Sequence, residues 1–199
     1  VAPMDQICDL AEKYDALVMV DESHSAGVVG ETGHGVSELY NTYDRVDIYT
    51  GTLGKAFGGA MGGFTTGRKE IIDMLRQRSR PYLFSNSLAP SIIGASLEVF
   101  KMLKEDHSIH EHLAQNVTYF RDKMIAAGFD IKPTQSAICA VMLYDAKLSQ
   151  DFAARMLEEG IYVTGFYYPV VPKNEARIRF QLSAGHNKSQ LDKCIAAFI

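Results

Sequence analysis

Five consecutive apolar residues, Ala16-Leu17-Val18-Met19-Val20, stop abruptly at a polar run, Asp21-Glu22-Ser23-His24. A run this short suits a strand covered on both faces, and strands of that kind are typical of parallel sheets. Ahead of it, between Met4 and Ala16, Ile7, Leu10, Ala11 and Tyr14 fall at helical spacing, with Pro3 tolerated near the helix start. A second short strand, Val46 to Thr50, runs into Gly51-Thr52-Leu53-Gly54-Lys55, and Gly62 to Thr66 is a candidate third strand. Helix, strand, polar loop, strand, polar loop is an α/β pattern. Open α/β sheets bind ligands at the carboxyl ends of their strands.

The rest of the chain changes character. A charged helix is predicted from Arg68 to Arg80, and Pro81 with Phe84-Ser85-Asn86-Ser87 reads as a loop. Two long helices follow. In the second, Leu113, Val117, Phe120 and Met124 share one face, and Gly128 supplies the stop. Beyond about Phe129 the reading is a strand from Ala137 to Tyr144, a helix from Gln150 to Glu159 stopped by Gly160, and a strand from Ile161 to Phe166. Ala176 to Ser183 alternates strictly, with Ala176, Ile178, Phe180 and Leu182 on one face and Arg177, Arg179, Gln181 and Ser183 on the other. A final helix, Ser189 to Ile199, has Ser189 and Asp192 in capping-box-like spacing and an apolar face of Leu191, Ile195 and Phe198. This change of pattern divides the chain into residues 1–95 and a smaller α+β domain, 96–199.

Composition narrows the function classes. At 47% hydrophobic and 22% charged, the 199 residues suit a globular protein and exclude disordered or collagen-like chains. The formal charge of −4, with no basic run, leaves no electrostatic footprint for nucleic acid or an anionic membrane, so a small-molecule partner is expected. Cys8, Cys139 and Cys194 are odd in number and lack CxxC spacing, which fits buried thiols in a reducing compartment better than disulfides or a zinc site. No apolar run approaches the ~20 residues of a membrane span, and no charged-then-apolar leader opens the chain. Val1-Ala2-Pro3-Met4 leads straight into a helix pattern, so further chain is expected before Val1.

The chemistry-bearing residues gather after the first two strands. A carboxylate fixed at a strand end, such as Asp21, can keep a heterocyclic nitrogen protonated, and a lysine among glycines, such as Lys55, can reach a carbonyl carbon. Those are the two groups that a pyridoxal cofactor needs. Thr52 offers a hydroxyl to its phosphate, and His24 can donate to the phenolic oxygen of its ring. Two other readings fail. Asp-Glu-x-His after a strand also occurs in helicase-like magnesium motifs, and Gly-Thr-Leu-Gly-Lys is half a phosphate loop. A Walker loop, however, needs Gly where Tyr49 stands and Ser or Thr where Ala56 stands. His107, His110 and His112 lie at the start of a polar helix without a second group of ligands, so a solvated helix end is expected rather than a metal site. Gly58, Gly59, Gly62 and Gly63 are expected to permit close backbone approach behind Lys55.

Asp21-Glu22-Ser23-His24-Ser25-Ala26-Gly27, Thr50-Gly51-Thr52-Leu53-Gly54-Lys55-Ala56-Phe57-Gly58-Gly59 and Ala176-Arg177-Ile178-Arg179 together resemble the α-oxoamine synthases, which are fold-type-I pyridoxal-phosphate (PLP) enzymes. The resemblance covers the whole chain. It implies the C-terminal part of a large, mostly parallel PLP-binding domain followed by a small α+β domain. Arg78 to Leu88 and Gly160 to Pro172 are most similar to the members that join glycine to acetyl-CoA, giving 2-amino-3-oxobutyrate and CoA, and that run in reverse in threonine breakdown. By the same resemblance, Lys55 holds the cofactor aldehyde and later takes the glycine α-proton, with Asp21 on the ring nitrogen, His24 on the ring oxygen and Thr52 on the phosphate. Ser85 reaches the phosphate of the other subunit in a homodimer, and Arg179 grips the substrate carboxylate. Arg177, on the same strand face, is expected in a structural salt bridge. Tyr167-Tyr168-Pro169 is read either as the acyl-CoA entrance or as core packing. The implied location is the cytoplasm, or the mitochondrial matrix in a eukaryote. Sibling synthases with another amino acid or a longer acyl-CoA remain open, as does a non-catalytic subunit, against which the retention of Lys55, Asp21 and His24 argues.

Overall fold

In a computed structural model that describes residues 1–58 and 60–199, the first apolar run becomes strand β1, Met19–Asp21. It pairs in parallel with β2, Ile48–Thr52, and β2 pairs antiparallel with β3, Gly63–Gly67. Both leading strands end later than their side chains suggest. The ladder is a backbone property, and it continues through polar residues, matching Asp21 to Thr50 and Thr52 to Gly63.

The expectation of a strand covered on both faces is corrected. Val18 and Val20 are buried, whereas Leu17 and Met19 are 67% and 63% exposed. Helix α1, Met4–Lys13, and the short α2, Val36–Tyr40, form one cluster with Val18 and Val20 through Met4, Cys8 and Val36. The face of α1 is corrected too: Met4, Cys8 and Ala11 turn inward, while Ile7, Leu10 and Tyr14 are exposed. The helix carries two apolar stripes, and helical spacing alone does not say which one meets the sheet. Next come α3, Lys69–Arg78, a short α4, Arg80–Phe84, and α5, Pro90–Glu105. Pro81 stands in the first turn of α4, where its missing N–H costs nothing, so the loop expected from Pro81 begins only after Phe84. These elements form the first of two compact units, Val1–His107.

The second unit, Ser108–Ile199, begins with α6, Ser108–Ala126. Strands β4, Ile131–Lys132, β5, Ile138–Tyr144, β6, Thr164–Phe166, and β7, Ala176–Gln181, form an antiparallel sheet in the order β4-β5-β7-β6. Helix α7 is Ala146–Glu158 and α8 is Lys188–Phe198. The alternation of β7 holds, with Ala176, Ile178 and Phe180 buried. The Phe120 ring of α6 stacks on Phe180 at 4.5 Å between centroids, and Phe198 of α8 meets Phe180 edge-on. Gly128 and Gly160, past the ends of α6 and α7, have φ of 91° and 76°, the left-handed conformation that favours glycine. The cap of α8 is not Ser189 with Asp192. It is a reciprocal box between Asn187 and Gln190, and the Ser189 hydroxyl donates to Asn187 Oδ1.

All three cysteines are free and buried, as expected, and burial pushes the Cys194 thiol up to about 12. His107 and His112 are exposed, but His110 is buried on α6, which corrects the reading of a wholly solvated helix end. Among the described residues no helix is long and apolar enough to cross a membrane.

Candidate active site

Asp21 closes β1 with its carboxylate exposed. Ser23 N–H donates to Oδ1 at 2.8 Å, and the Thr50 hydroxyl donates to Oδ2 at 3.0 Å from the adjacent strand. Hydrogen bonding from Ser23, then from Thr50, with a smaller contribution from the Lys55 charge, holds the carboxyl below its usual range and keeps it ionised.

The loop after β1 is built on Glu22. Its N–H extends the ladder to Thr50 O at 2.7 Å, and its C=O accepts from Ser25 and Ala26 N–H at 3.0 and 2.9 Å. The residue is only 5% exposed. Its carboxylate accepts from Val36 N–H at 3.0 Å, Ser37 N–H at 3.4 Å and the Ser25 hydroxyl. A buried carboxylate is tolerated only when bonded in this way. Gly35 makes the approach possible, because a Cβ there would lie 2.6 Å from Glu22 Oε2. The tight turn raised on this anchor carries His24. Glu22 and Thr50 both stand in the motifs quoted above, but nothing in the sequence marks either as a support of the site, since the pairing of Thr50 with Asp21 is a matter of strand register.

The second loop follows β2. Thr52 Oγ1 donates to Gly62 O and accepts from Gly54 N–H, each at 3.1 Å, which ties both ends of the turn that bears Lys55. Gly62, with φ of 89°, lies where a Cβ would meet Leu88 at 2.5 Å, and a Cβ on Gly63 would lie 2.5 Å from Gly51 O, so both permit the expected close approach. Gly58 has φ of 132°, and a Cβ added there would meet nothing closer than 3.9 Å, while Gly59 lies outside the described residues. The two loops touch at Gly27, whose added Cβ would sit 2.9 Å from Ala56 Cβ. Lys55 Nζ then lies 3.1 Å from His24 Nε2, and both side chains are exposed.

The other candidates lie elsewhere. Ser85 follows α4 on an exposed segment with Tyr82, Leu83 and Phe84. Arg179 lies on β7 in the second unit, its guanidinium 5.6 Å from the Phe166 ring centroid, and among the described residues it has no carboxylate within ion-pair distance. Arg177 does make the expected salt bridge, to Glu175 at 2.7 Å. Tyr167 and Tyr168 are 37% and 57% exposed, which argues against core packing within their unit. Among the described residues no three His, Cys, Asp or Glu side chains gather as a metal ion would require.

An amine, an imidazole and an ionised carboxylate at neighbouring strand ends are the donor set that a pyridoxal cofactor takes. Comparison with known proteins points the same way. Residues 1–198 match the family described as aminotransferase class I and II. The chain is 54% identical over 198 residues to the 2-amino-3-ketobutyrate coenzyme A ligase of Escherichia coli K12, and 46% identical to an 8-amino-7-oxononanoate synthase of Petrotoga mobilis. Each alignment takes in 100% of this chain and 50% of the relative, so the chain spans about half the length of the curated relatives it matches. A solved lysine-to-alanine variant of serine palmitoyltransferase from S. paucimobilis, with a bound PLP–myriocin aldimine, matches at a TM-score of 0.92 and 30% identity, over 100% of this chain and 50% of that one.

Proposed function

The chain belongs to the aminotransferase class I and II family, and from that premise we propose that it contributes the lysine-bearing part of a PLP site that condenses glycine with acetyl-CoA to 2-amino-3-oxobutyrate and CoA, with the reverse cleavage serving threonine breakdown. The observation that carries this reading is the meeting of Lys55 with His24 at 3.1 Å, next to a carboxylate held ionised at the end of β1. The 54% likeness to a 2-amino-3-ketobutyrate coenzyme A ligase supports the choice of substrates.

PLP, when bound, supplies an electron sink for a bond broken at the glycine α-carbon. Lys55 is the residue whose amine would hold the cofactor, and once the glycine amine takes its place the same amine would accept the glycine α-proton. His24, within hydrogen-bond distance of that amine, orients it and donates to the ring oxygen. Asp21 keeps the ring nitrogen protonated through a charge-assisted bond. Thr52 meets the phosphate once its hydroxyl turns from the Gly62 carbonyl. Ser85, on a segment whose aromatic and apolar side chains are exposed, suits a homodimer interface where it reaches the partner's phosphate. Arg179, with no carboxylate partner in its own unit and its plane beside Phe166, has a guanidinium fork free for the substrate carboxylate. Tyr167 and Tyr168 line the acyl-CoA entrance. In this reading the first unit is the C-terminal part of the large domain and the second is the small domain.

The 46% likeness to an 8-amino-7-oxononanoate synthase supports a second reading, a sibling enzyme that takes another amino acid and a longer acyl-CoA. Steady-state kinetics of the holoenzyme separate the two. Glycine with acetyl-CoA is expected to give the highest kcat/KM. A charge-assisted pair is worth about 1.5–3 kcal/mol, so Arg179→Ala should raise the KM for glycine about 10- to 150-fold while that for acetyl-CoA holds. A preference for longer acyl-CoA would establish the sibling reading, and equal effects on both KM values would make Arg179 structural.

A further inference from the structure

We infer that Thr50 is a positioning residue: its hydroxyl sets the plane in which the Asp21 carboxylate meets the ring nitrogen of the cofactor. The inference rests on the PLP reading above. Asp21 and Thr50 are Cα partners in the parallel β1–β2 ladder, so their side chains leave the sheet on one face. Val20 and Tyr49, one residue earlier on each strand, pack on the opposite face against the cluster built by Met4, Cys8 and Val36.

Asp21 is exposed, so packing does not hold its carboxylate in place. The terminal torsion of an aspartate is broad and has no strongly preferred plane of its own. Orientation therefore comes from its hydrogen-bond donors: Ser23, through its N–H on Oδ1 and its side chain, and the Thr50 hydroxyl on Oδ2. Ser23 belongs to the turn that follows the strand, whereas Thr50 acts on Oδ2 from the paired strand. Thr50 is suited to the task, because a β-branched residue on a paired strand has few side-chain rotamers to choose from. Thr52, two residues on and on the same face, does not substitute, since its hydroxyl accepts from Gly54 N–H and donates to Gly62 O, or to the phosphate in the reading above. The two threonines thus divide the work, Thr50 serving the carboxylate and Thr52 the lysine turn and the phosphate. The Thr50 bond also helps, after Ser23, to keep Asp21 ionised. The charged group that acts on Asp21 from the facing turn is Lys55.

The test compares wild type, Thr50→Val and Thr50→Ser as holoenzymes, reading bound cofactor by visible absorbance, kcat and KM separately, and the pH at which the cofactor band changes on acidification. Valine matches threonine in shape and suits a strand, so the fold is expected to hold. Thr50→Val should retain cofactor and leave both KM values within about threefold, while kcat falls about tenfold as an oriented hydrogen bond to a charged group is lost. Its acid transition should move to higher pH, because Asp21 loses a donor that favours its ionised form. Thr50→Ser should restore both kcat and the transition. Wild-type kcat and acid transition in Thr50→Val would overturn the inference, as would a Thr50→Ser variant as impaired as Thr50→Val. A wild-type protein that takes up no PLP overturns the underlying reading, and the inference with it, through the absorbance alone.

Discussion

The two units fill their interiors differently. Among the described residues, the large side chains with essentially no exposure belong mostly to the second unit, namely Phe120, Met124, Met156, Ile178 and Leu191. The corresponding set in the first unit is small or polar: Val29, Thr42, Cys8 and Ser37. The first unit also buries two carboxylates, Glu22 and Asp47. Asp47 accepts from Val18 N–H at 2.9 Å and pairs with Arg68 at 2.5 Å, so it fastens the entrance of β1 much as Glu22 fastens the exit. The second unit is held by apolar packing, and the first devotes part of its interior to holding loops in place. Polar anchors contribute less net stability than a packed aromatic core, but they are directional. Direction is what a site made of loop residues requires.

Phe120→Ala should sharpen this contrast most. Removing a fully buried ring stacked on Phe180 is expected to cost about 3–5 kcal/mol. Denaturant titration should show that loss, and cofactor absorbance per folded molecule should survive it. Glu22→Ala should cost less, about 1–3 kcal/mol, because it leaves the Val36 and Ser37 N–H groups without their acceptor. Its effect on cofactor uptake should nevertheless be the larger of the two, since the turn that carries His24 loses its anchor. A Glu22→Ala protein that destabilises as much as Phe120→Ala yet binds cofactor normally would break the comparison.

The same contrast explains what was legible in the sequence. In the second unit the apolar pattern and the packing agree. The alternation from Ala176 to Leu182 and the stripe through Val117, Phe120 and Met124 both mark buried faces. Gly128 and Gly160 stop their helices where a left-handed residue is needed. Strand β4 escaped notice because two residues, Ile131 and Lys132, are too few to carry a period. In the first unit the pattern misled. Leu17, Met19, Ile7 and Leu10 are as apolar as their buried neighbours, and only the placement of α1 on one side of the sheet decides which set is covered. The proximity of Lys55, His24 and Asp21 was legible through the rule that strand ends gather ligands. The supports beneath them were not, because a buried Glu22 and an oriented Thr50 differ from solvated polar residues only in their neighbours in space.

The central claim is that Lys55 holds the cofactor, and reduction of the linkage tests it most directly. Borohydride treatment of the holoenzyme, followed by proteolysis and mass analysis, should place a single pyridoxyl group on Lys55. Pyridoxyl on Lys69 or any other lysine, with Lys55 unmodified, would contradict the account.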